Sequence, residues 1–256
     1  MMERSAVVGV IGKSAPVMTE LVKWLIESKG EFVSDVVLLV TDDEEVWKQA
    51  ELVVSALETS EWSINVHWKD LSFRDISSDS ENLKFLEKAA EIIYEQKSKY
   101  DSDKIFLNVA GGRKTMGIGL YLLSLFNPID GVYHVISPQI GLFNEELERN
   151  KMKIDEHFRA SNLNEFYKSN RDVFDPILFP DLTEFNVIEM PRLFVSSDII
   201  DDLRKVWRSD KKIKRNKLSS MTDNDIYRAK SYGLIQVSGK WVYPTSLGKK
   251  VFKFVK

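Results

Sequence analysis

The sequence of 256 residues contains no cysteine and only three histidines. The absence of cysteine excludes disulfides, zinc sites with thiolate ligands and a cysteine nucleophile. His67, His134 and His157 are far apart in sequence and no HExxH pattern occurs. We therefore expect no metal and no cofactor, and any chemistry would have to be metal-independent.

The sequence also has no long hydrophobic run. The apolar segment AVVGVIG near its start is far too short to cross a bilayer. It lacks the basic region and cleavage site of a signal peptide. With 43% hydrophobic and 29% charged residues the composition is that of an ordinary globular protein. We expect a cytoplasmic protein of one or two domains with no membrane contact.

The nearly neutral net charge of −3 conceals a division along the chain. Residues 1–195 hold 21 basic and 33 acidic side chains, a net charge of −12, whereas residues 196–256 hold 15 and 6, a net charge of +9. This asymmetry places a domain boundary near residue 195. It favours nucleic-acid binding by the basic part, although a solvated basic face that binds nothing is equally compatible with it.

The first 140 residues alternate short apolar runs with segments of helical periodicity. The pattern predicts strands at 5–11, 35–40, 63–68, 104–109 and 132–136, separated by helices at 16–28, 44–57, 81–95 and 114–126. Continuous apolar strands alternating with helices indicate a mainly parallel sheet covered on both faces, a Rossmann-like α/β layer. Beyond it we predict a charged helix over 145–167, a loop over 175–183 with Pro176 and Pro180, and a closing strand over 185–190.

The basic C-terminal part has a different pattern. It predicts a helix at 197–207, a second at 223–232, strands at 234–237 and 241–243 joined through Ser238-Gly239, and a last helix at 247–255. Two helices, a β-hairpin and a further helix outline a small winged helix-turn-helix domain. Its candidate nucleic-acid contacts are the basic residues Lys211, Lys212, Lys214, Arg215, Arg228 and Lys230.

Two loops combine features suited to binding an anion. Each follows a predicted strand and opens a helix: residues 12–16, GKSAP, and residues 110–115, AGGRKT. In a parallel sheet both lie at the carboxyl edge, where ligands of doubly wound folds bind. Glycines let the backbone approach a ligand closely, and a helix N-terminus offers free N–H groups. Arg113 and Lys114 add charges suited to phosphate.

The two loops also allow simpler interpretations. Their spacing matches neither a Walker A loop nor a GxGxxG fingerprint, so neither an NTPase nor a dehydrogenase is supported. Gly111-Gly112 could be only a tight turn followed by surface cations. Ser14 could be the N-cap of the helix that follows it, a role compatible with contacting a ligand.

The segments IGKSAPVMTELVKWL and NVAGGRKTMGIGLYLL resemble the CARF domains of CRISPR-associated proteins, and among these the ring nuclease family. Members of that family carry a Ser-Pro-like, Thr-Glu first loop and a GGRKxM second loop. Here Ala15 separates Ser14 from Pro16, whereas Gly111 to Met116 match without a gap. The segment FNVIEMPRLF resembles the closing strand of these domains, after which a basic residue can reach the ligand. The resemblance covers residues 5–195.

The resemblance implies a homodimer that binds cyclic tetra-adenylate across a two-fold axis and cleaves it without a metal. The products would be linear di-adenylates ending in a 2′,3′-cyclic phosphate, and their formation would switch off type III CRISPR antiviral signalling. Lys114 and Arg113 would stabilise charge, and Ser14 would position the attacked phosphate or the 2′-hydroxyl. The ligand-binding residues implied are Gly12, Lys13, Ala110, Gly111, Gly112, Thr115, Met116 and Arg192.

Two other functions compete with this one. The chain could be a transcription regulator that senses cyclic oligoadenylate and binds DNA through its winged helix, although such a domain could equally serve only to extend the dimer interface. A ligand-activated ribonuclease is disfavoured, because residues 196–256 contain no histidine.

Overall fold

A computed structural model gives the fold of residues 3–137, 140–191, 196–209, 211–253 and 255, with the backbone alone described for 140–144. The chain forms two compact units. The N-terminal unit comprises residues 1–124 and 128–191, and the C-terminal unit comprises 125–127 and 192–256. The predicted domain boundary at residue 195 lies outside the described residues.

The N-terminal unit is built on a six-stranded sheet. In chain order its strands are β1 (Arg4–Val10), β2 (Phe32–Val40), β3 (Asn65–Asp70), β4 (Lys104–Asn108), β5 (Gly131–Ile136) and β6 (Asn186–Glu189). Their order across the sheet is β3-β2-β1-β4-β5-β6. The first five run parallel, and β6 pairs antiparallel with β5 at the edge. The predicted mainly parallel α/β fold and the late closing strand are both confirmed.

Four helices connect the parallel strands: α1 (Pro16–Glu27), α2 (Glu44–Glu58), α3 (Asp79–Ser98) and α4 (Lys114–Ser124). One hydrophobic cluster joins α1 and α2 to alternate residues of the sheet such as Val36 and Leu38. Their neighbours Val37 and Leu39 are equally buried but lie outside that cluster, because successive side chains of a strand point to opposite faces. Helix α4 packs on α3 and contacts β1 and β4, so the sheet is covered on both faces.

The segment after β5 differs from the sequence prediction. The single helix predicted over 145–167 is wrong, since three helices occupy the region: α5 (Ile140–Arg149), α6 (Lys151–Phe158) and α7 (Leu163–Ser169). The loop predicted over 175–183 is wrong in its first part, because α8 (Arg171–Leu178) continues through Pro176. Burial of Phe174, Ile177 and Leu178 in the core accounts for this helix despite the proline.

His157 belongs to this helical packing. Its ring is fully buried, lies 5.9 Å from the ring of Phe174, and places Nε2 3.0 Å from Ser55 Oγ. Burial lowers the pKa of His157 from 6.5 to about 4, so the side chain is neutral at physiological pH. Among the described residues no three His, Asp or Glu side chains are grouped so that they could hold a metal ion. Within that same part of the chain no helix is long and apolar enough to span a membrane.

The C-terminal unit contains α9 (Ser197–Arg208), β7 (Ile213–Lys214), a 3-10 helix (Arg215–Lys217), α10 (Asp223–Ser231), β8 (Ile235–Ser238), β9 (Trp241–Pro244) and α11 (Ser246–Phe252). Its three strands form an antiparallel sheet in the order β7-β9-β8. The predicted hairpin is confirmed, but its turn is Gly239-Lys240 rather than Ser238-Gly239. Gly239 has φ of +55°, which a two-residue hairpin turn requires at its first position. This arrangement is compatible with a winged helix-turn-helix, which stays a prediction.

Candidate functional site

The two predicted loops meet at the carboxyl edge of the sheet. The first loop (residues 11–15) follows β1, and the glycine loop (residues 109–113) follows β4, which is the parallel neighbour of β1. The chain moves outward from β1 to β2 and β3 and then returns to the other side of β1 as β4. This reversal is the topological switch point at which doubly wound sheets bind ligands.

Glycine allows the two loops to touch through their backbones. A Cβ atom added to Gly12 would lie 2.9 Å from the backbone nitrogen of Gly112, and one added to Gly111 would lie 1.9 Å from the carbonyl oxygen of Val10. Gly112 also has φ of +71°, a conformation that residues with a side chain rarely adopt. Gly111-Gly112 is thus more than a tight turn, since it also permits close contact between the loops.

Asn108, which the sequence interpretation missed, connects the start of α1 to the glycine loop. It is the last residue of β4 and is 1% exposed. Its Nδ2 donates to the carbonyl of Val17 in α1 (2.7 Å), and its Oδ1 accepts from the backbone N–H of Ala110 (2.9 Å). A polar residue directly after the apolar run Ile105–Leu107 was the signal in the sequence. The side chain fixes the start of α1 against the glycine loop.

Replacing Asn108 with Ala is expected to lower the free energy of unfolding by about 2 kcal/mol, because both backbone groups lose their partner. Chemical denaturation measures this. Asn164→Ala removes an exposed hydrogen bond to Glu58 and is the matched control, with an expected change below about 0.5 kcal/mol. Equal effects of the two substitutions would show that Asn108 does not secure the loops.

The glycine loop leads directly into cationic residues. Gly112, Arg113, Lys114 and Thr115 are exposed, whereas Gly111 and Met116 are buried and Ala110 is partly buried. Helix α4 begins at Lys114. The guanidinium of Arg113 pairs with Asp75 at 2.9 Å, with 65% and 43% of the two side chains exposed. The predicted loop residues therefore lie together, with their charged members facing outward at a helix N-terminus.

Ser14 is partly buried and lies just before α1. The N-cap of α1 is Ala15, and no side chain caps this helix. Pro16 occupies the first turn, where a missing N–H costs nothing. The interpretation of Ser14 as the N-cap is therefore wrong. Its hydroxyl is not used in capping.

A cleft of about 260 Å³ opens between the loops and the neighbouring strand ends. Its lining combines an apolar floor with polar and cationic side chains: Ile11, Gly12, Lys13, Thr41, Asp43, Val46, Arg74, Gly112, Arg113 and Met116. Asp43 caps α2 by accepting from the N–H of Glu45 and lies 3.7 Å from Arg74. The sequence interpretation missed Thr41, Asp43 and Arg74, since they follow other strands and only the sheet order brings them here.

A buried carboxyl group lies on α1. Glu20 is fully buried, and its Oε1 accepts a hydrogen bond from Ser137 Oγ at 2.9 Å. Its Oε2 has no hydrogen-bond partner among the described residues. Burial raises the pKa of Glu20 from 4.5 to about 7, against the lowering effect of the Ser137 hydrogen bond.

This raised pKa predicts a pH-dependent stability. Between pH 4.5 and 7 the folded chain holds a proton on Glu20 that the unfolded chain has released. The contribution of Glu20 to stability therefore falls as pH rises through this range. Glu20→Gln should be more stable than the unaltered protein at pH 8. The difference in free energy of unfolding between the two proteins should shift in favour of the variant by up to about 3 kcal/mol between pH 4 and pH 8. Denaturation at both pH values measures this, with the exposed Glu148→Gln as control; an unchanged difference would contradict it.

The other predicted site residues are Arg192 and the basic residues of the C-terminal unit. Arg192 lies outside the described residues. In the C-terminal unit Lys212 and Lys214 lie near the ring of Trp241, and Arg215 pairs with Asp223. Lys211 is exposed beside them, and Arg228 and Lys230 are exposed on α10.

The fold and the site define a class of protein: a Rossmann-like domain that presents glycine loops and cations at its switch point. The sequence matches the family model described as CRISPR-associated protein NE0113 over residues 14–223. The chain therefore belongs to this CRISPR-associated family.

Comparison of structures gives a distant similarity. Enterococcus italicus Csm6 bound to cyclic hexa-2′-fluoro-hexa-dAMP matches with a TM-score of 0.46 and 14% identity. The match covers 89% of this chain and 48% of that one, so this chain spans about half the length of Csm6. No curated protein matches the sequence.

Proposed function

We propose that this chain binds a cyclic oligoadenylate, namely cyclic tetra-adenylate, and cleaves it without a metal ion. Membership of a CRISPR-associated family supports the setting, and the resemblance of its two loops to those of ring nucleases supports the ligand. The observation that carries the proposal is the meeting of Gly12 with Gly111-Gly112 at the switch point, with Arg113 and Lys114 exposed beside them.

The site is suited to a ring of phosphodiesters. The N-terminus of α4 offers backbone N–H groups, and Lys114 stands at its first position. Arg113 is already paired with the Asp75 carboxylate, and both side chains are substantially exposed. An exposed pair of this kind contributes at most about 1 kcal/mol. A phosphate could therefore replace the Asp75 carboxylate on the Arg113 guanidinium at little cost.

The proposed reaction is an internal transesterification. A ribose 2′-oxygen forms a bond to the adjacent phosphorus while the bond from phosphorus to the 5′-oxygen breaks. The proton of the 2′-hydroxyl is lost to solvent, and the 5′-oxygen gains one. Two such cuts convert the tetra-adenylate ring into two linear di-adenylates, each with a 2′,3′-cyclic phosphate and a 5′-hydroxyl.

The contribution of the chain is to orient these atoms and to stabilise charge on phosphorus. Lys114 and Arg113 supply the charge, and the hydroxyl of Ser14, which does not cap α1, positions the phosphate or the 2′-hydroxyl. The carboxylate in the cleft, Asp43, is already engaged as the cap of α2. Asp43 is therefore not free to act as a general base, and we expect the cleavage to have a slow turnover.

A homodimer completes this proposal. Cyclic tetra-adenylate is close to two-fold symmetric, and a two-fold interface presents the same loops to both halves of the ring. Each protomer would contribute one copy of the first loop and one of the glycine loop.

The test is incubation of the purified chain with labelled cyclic tetra-adenylate in EDTA. Linear di-adenylate with a 2′,3′-cyclic phosphate, identified by mass, is the expected product, and light scattering should give the mass of a dimer. Tight binding without cleavage would overturn the enzyme proposal and favour the ligand-sensing regulator. No binding at all would overturn both.

A further inference from the structure

The hairpin of the C-terminal unit gathers three lysines around one indole ring. The amino groups of Lys212, Lys214 and Lys240 lie 4.4, 5.8 and 5.9 Å from the ring centre of Trp241. Any two of them are therefore within about 12 Å of each other. Attraction between an ammonium group and the face of an aromatic ring helps to hold such charges in place. The result is a dense positive cluster formed by Lys212 just before β7, Lys214 in β7 and Lys240 in the turn between β8 and β9.

No carboxylate neutralises this cluster within the described part of the chain. Within the described residues of the C-terminal unit, ion pairs such as Arg204–Asp201, Lys205–Asp202 and Arg215–Asp223 include none of the three cluster lysines. Ammonium groups held close together repel one another, so their proximity lowers stability unless an anion binds. A cluster of this kind is suited to a ligand with several closely spaced negative charges.

A groove adjoins the lysine cluster and shares two of its members. The groove has a volume of about 720 Å³ and includes Lys214 and Lys240 together with Arg215 and Asn216. Asp223, which also lines it, is paired with Arg215. The cationic surface therefore extends from the hairpin along the 3-10 helix.

Helix α10 presents the opposite charge at its beginning. Its first turn carries Asp223 and Asp225, and Asp225 forms a capping box with Thr222. Two carboxylates at the N-terminal turn repel phosphate, which weakens the usual mode in which the N-terminal end of a recognition helix enters the major groove. The hairpin is therefore the better phosphate-binding surface of this unit.

We propose that the hairpin cluster of Lys212, Lys214 and Lys240 binds the backbone of duplex DNA without sequence preference. Duplex DNA carries one negative charge for about every 1.7 Å of its axis. Phosphates are therefore spaced closely enough for each of the three ammonium groups to contact one. Lysine contacts to phosphate fix position but read no base. This binding is separate from the proposed ring cleavage and uses none of its residues.

The experiment measures binding of the full chain to a short labelled duplex by anisotropy, with salt varied between about 50 and 200 mM. Replacing all three lysines, K212Q/K214Q/K240Q, should flatten the slope of log affinity against log salt by about 2.7. It should also weaken binding at low salt by tenfold or more. The charge-preserving K212R/K214R/K240R should retain binding, which separates charge from a folding defect.

The matched control is K249Q/K250Q/K253Q, which removes three exposed cations from α11 and its C-cap in the same unit. It should keep most of the affinity and slope of the unaltered chain. A loss as large as that of the hairpin variant would overturn the assignment to the hairpin. Tighter binding of a single strand of the same length would overturn the choice of duplex. Absence of binding at low salt would overturn the proposal altogether.

Discussion

Lys114→Ala is expected to lower the rate of cyclic tetra-adenylate cleavage by roughly 10²–10³-fold, or about 3–4 kcal/mol of transition-state stabilisation. Lys114 is the exposed first residue of α4 and directly follows the loop formed by Gly111, Gly112 and Arg113. Its ammonium group would face charge that grows on the phosphorane. Because the ground-state phosphodiester already carries one negative charge, part of the loss should also appear in binding.

The measurement is single-turnover cleavage with the variant in excess over labelled ligand, so that chemistry is separated from product release. Lys84→Ala, an exposed lysine of α3, is the matched control and should cleave at the unaltered rate. Light scattering checks that the variant keeps the oligomeric state of the unaltered chain. Full cleavage activity of Lys114→Ala would show that Lys114 does not contribute to catalysis.

Gly111→Ala is expected to lower the free energy of unfolding by about 3 kcal/mol or more. The added methyl group would lie 1.9 Å from the carbonyl oxygen of Val10, and a backbone atom of a buried strand cannot move aside as a flexible side chain can. Overpacking of this kind typically costs 1–3 kcal/mol, occasionally more. The strand ends would have to separate, and with them the two loops of the site.

Gly30→Ala is the control for this substitution. Gly30 has φ of +69° but nothing within 4 Å of an added Cβ, so only backbone strain opposes alanine there, at about 1 kcal/mol. Urea denaturation of both variants measures the two costs. If Gly111→Ala were no more damaging than Gly30→Ala, the close contact between the glycine loop and the end of β1 would be refuted.

The parallel sheet and its two loops were predictable because their signals are local. Strands β1 and β2 contain the apolar runs AVVGV and VVLLV, and glycines followed by a basic residue precede α4. The region after β5 was not predictable in the same way. Helix α8 contains Pro176, and its buried face stabilises a helix that the sequence alone disfavours.

In the candidate site, too, local features were predictable from the sequence and long-range contacts were not. Ser14 was placed correctly beside α1, but its capping role was wrong because Ala15 occupies the N-cap position. Asn108 was missed because its two partners lie on different elements, Val17 in α1 and Ala110 in the glycine loop. Its hydrogen bonds depend on strand order, which no local pattern reveals.

The sequence by itself determined the α/β layer, the two glycine-containing loops and the basic C-terminal part, because periodicity, glycine placement and charge are properties of neighbouring residues. Only the tertiary structure decided that the loops touch, that Asp75 pairs with Arg113, and that three lysines surround Trp241. Apart from Lys240, which directly precedes Trp241, these contacts join residues that are distant along the chain. They exist only once strands have paired in a particular order.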